Sequence, residues 1–262
     1  MNRSAGIVVA LVLVIAAAAL GFWLWQGREP PPLPPPAAPR VEAPAPTAPE
    51  APQGPVNPVP AAAPVEKPLP PLKASDDAVR SDLTAALPPS AMERLVLEGF
   101  IRRVVATVDN LPREQFAQRL SPVVAVPGWP KVTGRDQSLA WSAENAARYA
   151  PYMAALDAVD ANRLADFYLR YYPLFQEAYV ELGYPNGYFN DRLVAVIDHL
   201  LGAPVVGGTI PLTQPKVLYE FANPELERLS AGRKVLVRLG PANEEKVKAK
   251  LRAFRAKIAK AR

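Results

Sequence analysis

The side chains best suited to chemistry are Glu177, Glu181, Asp198 and His199. Glu177 and Glu181 stand one helical turn apart, so they repel mildly. With Asp198 they could form the pair of carboxylates that glycan hydrolysis uses, about 5–9.5 Å apart. Spacing along the chain leaves that distance open, and the plainer reading is a set of solvated surface acids. His199 is the single histidine, and there is no cysteine. It offers a base or one metal ligand. Any metal there would need carboxylates for the rest of its shell, which suits Mg or Ca better than a transition metal. The expectation is therefore no metal, no cofactor and a hydrogen-bonded structural histidine. Serine-nucleophile motifs, a phosphate-binding G-x-x-x-x-G-K-[ST] and a dinucleotide fingerprint are all absent.

A second cluster suits binding better than catalysis. Tyr184, Asn186, Tyr188, Asn190, Asp191 and Arg192 place donors, acceptors and aromatic faces on one turn, with Asp198 and His199 beyond it. Loops on rigid scaffolds carry function, and tyrosines suit peptide or sugar surfaces. The alternative is that the aromatics only pin two helices together while Asn190 caps the second.

The elements that must position this turn are helical. Asp160 reads as an N-cap, followed by apolar and aromatic residues at Leu164, Phe167, Tyr168, Tyr171, Phe175, Ala178, Tyr179 and Leu182. Pro173 predicts a kink or restart, and Gly183 a left-handed end. Asn190 then opens a helix with a stripe at Leu193, Val194, Ile197, Leu200 and Leu201. Upstream, Ser75 caps a short helix that Pro88-Pro89 stops. A capping box, Ser90 to Glu93, predicts one helix running to about Val108. Residues 113–141 are irregular, with short extended pieces at Val123–Val126 and Leu139–Trp141. Ser142 reads as the cap of a turn or short helix through Tyr149, with Pro151 following. Downstream, Val217–Phe221 is strand-like. Asn223-Pro224 starts one helix that Gly240-Pro241 ends, with Gly232 its weak point and a strand at Val235–Leu239 the alternative. A last helix from about Asn243 carries Val247, Leu251, Phe254 and Ile258 on one face.

The N-terminal part is of another kind. Residues 5–25 lack any ionisable group and are bounded by Arg3 and Arg28. As a helix they would span about 32 Å, enough for the hydrocarbon core of a bilayer. After a short tail of residues 1–4, this reads as an uncleaved signal anchor. Eighteen of the 32 prolines fall between Pro30 and Pro71, so 26–71 reads as a disordered, semi-extended stalk. The formal charge is +5, but residues 243–262 alone hold eight Lys/Arg and two Glu. The body is thus near neutral, and a basic nucleic-acid-binding face is not expected. The basic helix 243–262 either packs on the body or touches anionic lipid.

The run YPLFQEAYVELGYPNGYFNDRLVAVIDHLL (172–201), with VATVDNLPR (105–113) and LERLSAGRKVLVRLG (226–240), resembles a bacterial family, the domain of unknown function numbered 3014. The resemblance covers about Leu72 to Ile258 and extends to the layout of membrane segment and Pro-rich stretch. It implies an envelope protein and carries over no activity. The expectation is a mostly α protein: a single transmembrane helix, a Pro-rich linker, and one helical domain with minor β over 72–262. It would sit in the bacterial inner membrane with that domain in the periplasm; a cytoplasmic domain is the other topology. A non-catalytic binding or scaffolding role for another envelope protein or wall component leads. A carboxylate-based hydrolase of wall glycan or peptide is the alternative.

Overall fold

The computed structural model describes residues 54–59, 68–135 and 138–259. The expected anchor over 5–25 and most of the stalk lie outside the described residues. Among the described residues, no helix is long and apolar enough to cross a membrane.

The domain is mostly helical, with a small antiparallel sheet. In chain order its elements are α1 (Asp76–Ala86), α2 (Pro89–Met92), α3 (Phe100–Asn110), β1 (Val132–Thr133), β2 (Ala140–Trp141), α4 (Asn145–Arg148) and α5 (Ala150–Asp157). Then follow α6 (Ala161–Glu181), α7 (Phe189–Leu201), β3 (Ile210–Thr213), β4 (Glu220–Phe221), α8 (Pro224–Glu227), α9 (Ala231–Leu239) and α10 (Pro241–Ile258). Helices α3, α6, α7 and α10 pack on one another around the main core. Its centre is aromatic. Tyr168 meets Phe254 edge-on at 5.8 Å, and Phe175 stacks on Phe189 at 5.7 Å. Each such pair adds about 0.5–1.5 kcal/mol beyond the area it buries. The sheet runs β1-β2-β3-β4, with Val132 opposite Trp141, Ala140 opposite Pro211 and Leu212 opposite Phe221. It covers a smaller core of Ile210, Leu212, Phe221 and Val237.

Local chemistry explains the helices the pattern predicts. The Asp160 carboxylate accepts the Asn162 and Arg163 N–H groups and caps α6, a contribution of about 1 kcal/mol. Gly183, at φ +114°, lets the chain leave that helix. The apolar stripes of α7 and α10 are buried as their spacing requires, except that Leu201 is only partly covered.

Several boundaries differ from expectation. Ser90 is no cap: it lies inside the single turn of α2, which starts at Pro89 without a side-chain cap bond, and α3 is separate and starts at Phe100. Between them Gly99 sits at φ +61°, and Leu95 pairs with Val123 in an isolated antiparallel bridge. The cap of α3 comes from afar: Asp76 accepts the N–H of Gly99 at 2.7 Å and of Phe100 at 3.3 Å. Ser75 makes no cap bond, because its hydroxyl donates back to the Leu72 carbonyl. α6 passes through Pro173 as one 21-residue helix and does not restart. Asn190 is no cap; α7 begins at Phe189, and the Asn190 amide is turned inward. α5 is an added helix beyond Tyr149 with Pro151 in its first turn, and β1 and β3 escape the periodicity because strands of two to four residues hold too few repeats to show it. Residues 224–239 form two helices, since Ser230 caps α9 by accepting the Arg233 N–H; 235–239 is therefore helical, not a strand.

Gly232 is a packing residue, not a weak point. A Cβ there would lie 2.5 Å from Leu200 Cδ2 and 3.0 Å from the Leu111 carbonyl oxygen, which already accepts the Gly232 N–H at 2.9 Å. Leu200 is itself buried in the core and cannot swing aside freely. We expect Gly232→Ala to lower stability by about 1–3 kcal/mol by overpacking, outweighing the roughly 1 kcal/mol that alanine gains in helix propensity. Denaturant unfolding of the two proteins measures the difference.

Candidate functional site

The predicted site residues fall into three groups, and the first two share the turn. Tyr184 and Arg192 face a carboxylate on α3. Asp109 is 2% exposed and accepts from Arg192 Nε at 3.0 Å, from an Arg113 guanidinium nitrogen at 2.6 Å and from the Tyr184 hydroxyl at 3.2 Å. Arg192 also donates to the Asp109 carbonyl at 2.9 Å. Tyr184 stacks on Tyr179 with ring centroids 4.5 Å apart. Gln176 braces the same turn from α6. Its Oε1 accepts the Phe189 N–H and its Nε2 donates to the Gly187 carbonyl, both at 2.8 Å. Tyr188 is half-buried at the helix entrance, and Asn186 is exposed on the loop.

The second group is Asn190 and Asp191. Asn190 is fully buried; its Oδ1 accepts from the Tyr168 hydroxyl at 3.0 Å, and its Nδ2 donates to the Ile258 carbonyl at 2.9 Å. That Nδ2 also donates to the Asn57 carbonyl at 2.8 Å. Asp191 accepts the N–H of Val56 at 2.9 Å and of Asn57 at 2.6 Å. Residues 54–59, from within the stretch expected to be free stalk, are thus seated on the domain.

The third group lies at the far end of α7. Asp198 is bound by Arg255 of α10, at 2.5 and 2.9 Å, while Glu181 is bound by Arg102 of α3 at 2.7 Å. The two acids therefore answer to different helices and do not converge on one centre. Both arginines are held above their ordinary value by the bonded carboxylate, and Arg102 holds Glu181 below the usual range. His199 Nε2 is 2.7 Å from Ser230 Oγ, and its carbonyl accepts from Arg233. Burial pushes the imidazole below its ordinary value, helped by the positive charges of Arg233 and Arg192.

The basic helix is largely spoken for. Lys246 reaches Asp157, Lys248 the Ala203 carbonyl and Glu244, Lys250 the Val159 carbonyl, Arg252 Glu245 and Arg255 Asp198. Among the described residues, no group of three or more His, Asp or Glu is placed to hold a metal ion.

The family described as a protein of unknown function, DUF3014, matches residues 100–255. The chain belongs to this family. No curated protein and no solved structure matches it. The DUF3014 span holds Asp109, Arg113, Gln176, the Tyr184–Arg192 turn and all of α7, so the network around Asp109 is internal to the family's domain. Val56 and Asn57 lie outside it.

Three residues of this arrangement were missed from sequence. Asp109 had a signal: a carboxylate one turn after the apolar Val105 and four residues before Arg113. Asn57 is the only asparagine between Pro30 and Pro71, and Gly54 the only glycine. Gln176 had none, since a glutamine in a helix is ordinary.

Two outcomes follow. Asp109→Asn should cost about 2–3 kcal/mol, because charge-assisted bonds to two arginines are weakened at a buried site; denaturant midpoints measure it. His199 is held low when folded, so the unfolded chain binds its proton more readily. Its neutral form is compatible with full stability above the unfolded value near 6.5, and stability is lost as pH falls through that value toward the lower folded one. Wild type should therefore lose more stability than His199→Gln between pH 8 and pH 5, measured by unfolding the pair side by side.

Proposed function

We propose that this DUF3014 protein is a membrane-anchored component of the bacterial cell envelope. In this reading residues 5–25 hold it in the inner membrane and the helical domain lies on the periplasmic side. The domain is a non-catalytic binding or scaffolding module for another envelope protein or wall component. One observation carries the binding half: the Asn190–Asp191 corner turns its side chains onto the main chain of a bent segment from outside the helical bundle. Main-chain hydrogen bonds to a peptide segment are a common source of affinity in peptide recognition.

The acids favour this role over hydrolysis. A general acid for glycan cleavage needs its pKa raised, whereas Arg102 lowers that of Glu181. Lipid contact by the 243–262 helix remains secondary in this proposal, because five of its basic side chains already have protein partners.

The test uses the full chain in a bacterial host. A phosphatase reporter fused after Arg262 that is active only outside the cytoplasm should be active. In-cell crosslinks to an envelope partner should be lost in Asp191→Ala and kept in Glu181→Gln and Asp198→Asn. An inactive phosphatase overturns the placement. Crosslinks that survive Asp191→Ala and vanish with the amide variants overturn the binding role.

A further inference from the structure

Residues 54–59 read Gly-Pro-Val-Asn-Pro-Val, and prolines 55 and 58 lack an N–H. Val56 and Asn57 therefore carry the only main-chain donors from 55 to 58. Both are taken by one carboxylate, Asp191, with Val56 N–H on Oδ2 at 2.9 Å and Asn57 N–H on Oδ1 at 2.6 Å. The Asn57 side-chain amide reaches the same Oδ1 at 3.1 Å. Its carbonyl is held by Asn190 Nδ2 at 2.8 Å. Asn57 is thus recognised through its N–H, its carbonyl and its side chain at once. The Val56 side chain, 74% exposed, is left outside.

The receiving side is built in advance. Asn190 is fully buried, and the Tyr168 hydroxyl and Ile258 carbonyl fix which way its amide points. Only one of its donor hydrogens is then left to face the segment. Asp191 is an acceptor with two oxygens aimed at two successive N–H groups, which demands a chain bent at Val56 and Asn57 so that both N–H groups face the same side. The flanking prolines fix φ on either side of that bend, so ordering the segment costs less than ordering a freer chain would.

We propose that the Asn190–Asp191 corner is a recognition site for a bent Pro-Val-Asn-Pro peptide, occupied in cis by the chain's own Val56–Asn57. This rests on the binding role proposed above and adds its ligand class and its control. The protein would engage a partner segment of the same kind only when its own linker lets go. Eight residues, 60–67, join the segment to the domain, and a short tether supplies an effective concentration of about 1 mM. For an intrinsic dissociation constant of about 0.1 mM or below, the cis segment fills the site at roughly ten to one or better, and a peptide in trans binds about tenfold or more weakly. Release of the linker also lengthens the free tether between domain and membrane, so occupancy and reach are coupled.

The probe is a fluorescein-labelled Gly-Pro-Val-Asn-Pro-Val peptide titrated against the detergent-solubilised full chain by fluorescence polarisation. Asn57→Pro removes the second N–H and the side-chain amide of the cis segment without touching the domain, so its folding is not at issue. It should bind the peptide about tenfold or more tightly than wild type does. A peptide with Pro in place of its Asn should bind neither protein. Adding Asp191→Ala to Asn57→Pro should abolish binding, with circular dichroism checking that the helices persist. Equal binding by wild type and Asn57→Pro overturns the cis occupancy, as does a wild-type dimer in sedimentation that Asn57→Pro dissolves, since the segment would then sit on a second copy. No binding to Asn57→Pro, or binding of the Asn-free peptide, overturns the recognition site. Any of these results leaves the envelope placement to stand or fall on the phosphatase reporter.

Discussion

Asp109 is a carboxylate held out of water, and its charge obliges the surrounding chain to come to it. Burying an ion costs several kcal/mol unless its lone pairs are filled. Here Arg113, Arg192 and the Tyr184 hydroxyl fill them. Those partners come from the end of α3, from the turn after α6 and from the first turn of α7. One acid therefore fixes how three segments meet. Its own carbonyl is bound as well, by Arg192, so the α3 end and the α7 start are tied through main chain and side chain together.

With that turn pinned, the entry of α7 has little freedom. Gln176 holds the main chain on both sides of Tyr188, and the Tyr179–Tyr184 stack closes the other flank. Gly187 lies so near the Tyr179 ring that a Cβ would come within 2.9 Å of it. The consequence is felt one residue further on. Asn190 is driven into the core beneath Tyr168, where its amide joins α6, α7 and the end of α10, and Asp191 is left at the surface beside it. A structural clasp and the corner that holds Val56 and Asn57 are thus neighbours on one turn, and the first sets the geometry of the second. The aromatic density around Tyr168 is mostly core, with hydroxyls used to orient buried amides.

Helices with a long apolar period were legible. α6, α7 and α10 are where Leu164–Tyr179, Leu193–Leu200 and Val247–Ile258 place them, because repeated burial every third or fourth residue leaves a signal in the residues themselves. Elements set by one or two distant contacts were not. The break before α3 depends on Asp76, more than twenty residues upstream; the break before α9 depends on Ser230 and on Leu200 pressing against Gly232. At the site, the six turn residues were recognised as a group, but their division into clasp and corner was not. Asn190 looked like a cap because capping needs only local geometry, whereas its three partners come from residues 22, 68 and 133 positions away.

Taken alone, the sequence determined the helical class, the faces of the long helices, the near-neutral body with its basic end and membership expectations for the family. These are properties of periodicity and composition, which local chain physics can read. Only the tertiary structure decided that Asp109 is the tie point, that Glu181 and Asp198 answer to separate arginines, and that Val56 and Asn57 are seated on Asp191. Each of those depends on a polar group meeting a partner far along the chain. Such a meeting adds no period and no compositional bias, so nothing in the order of residues records it until the chain has folded.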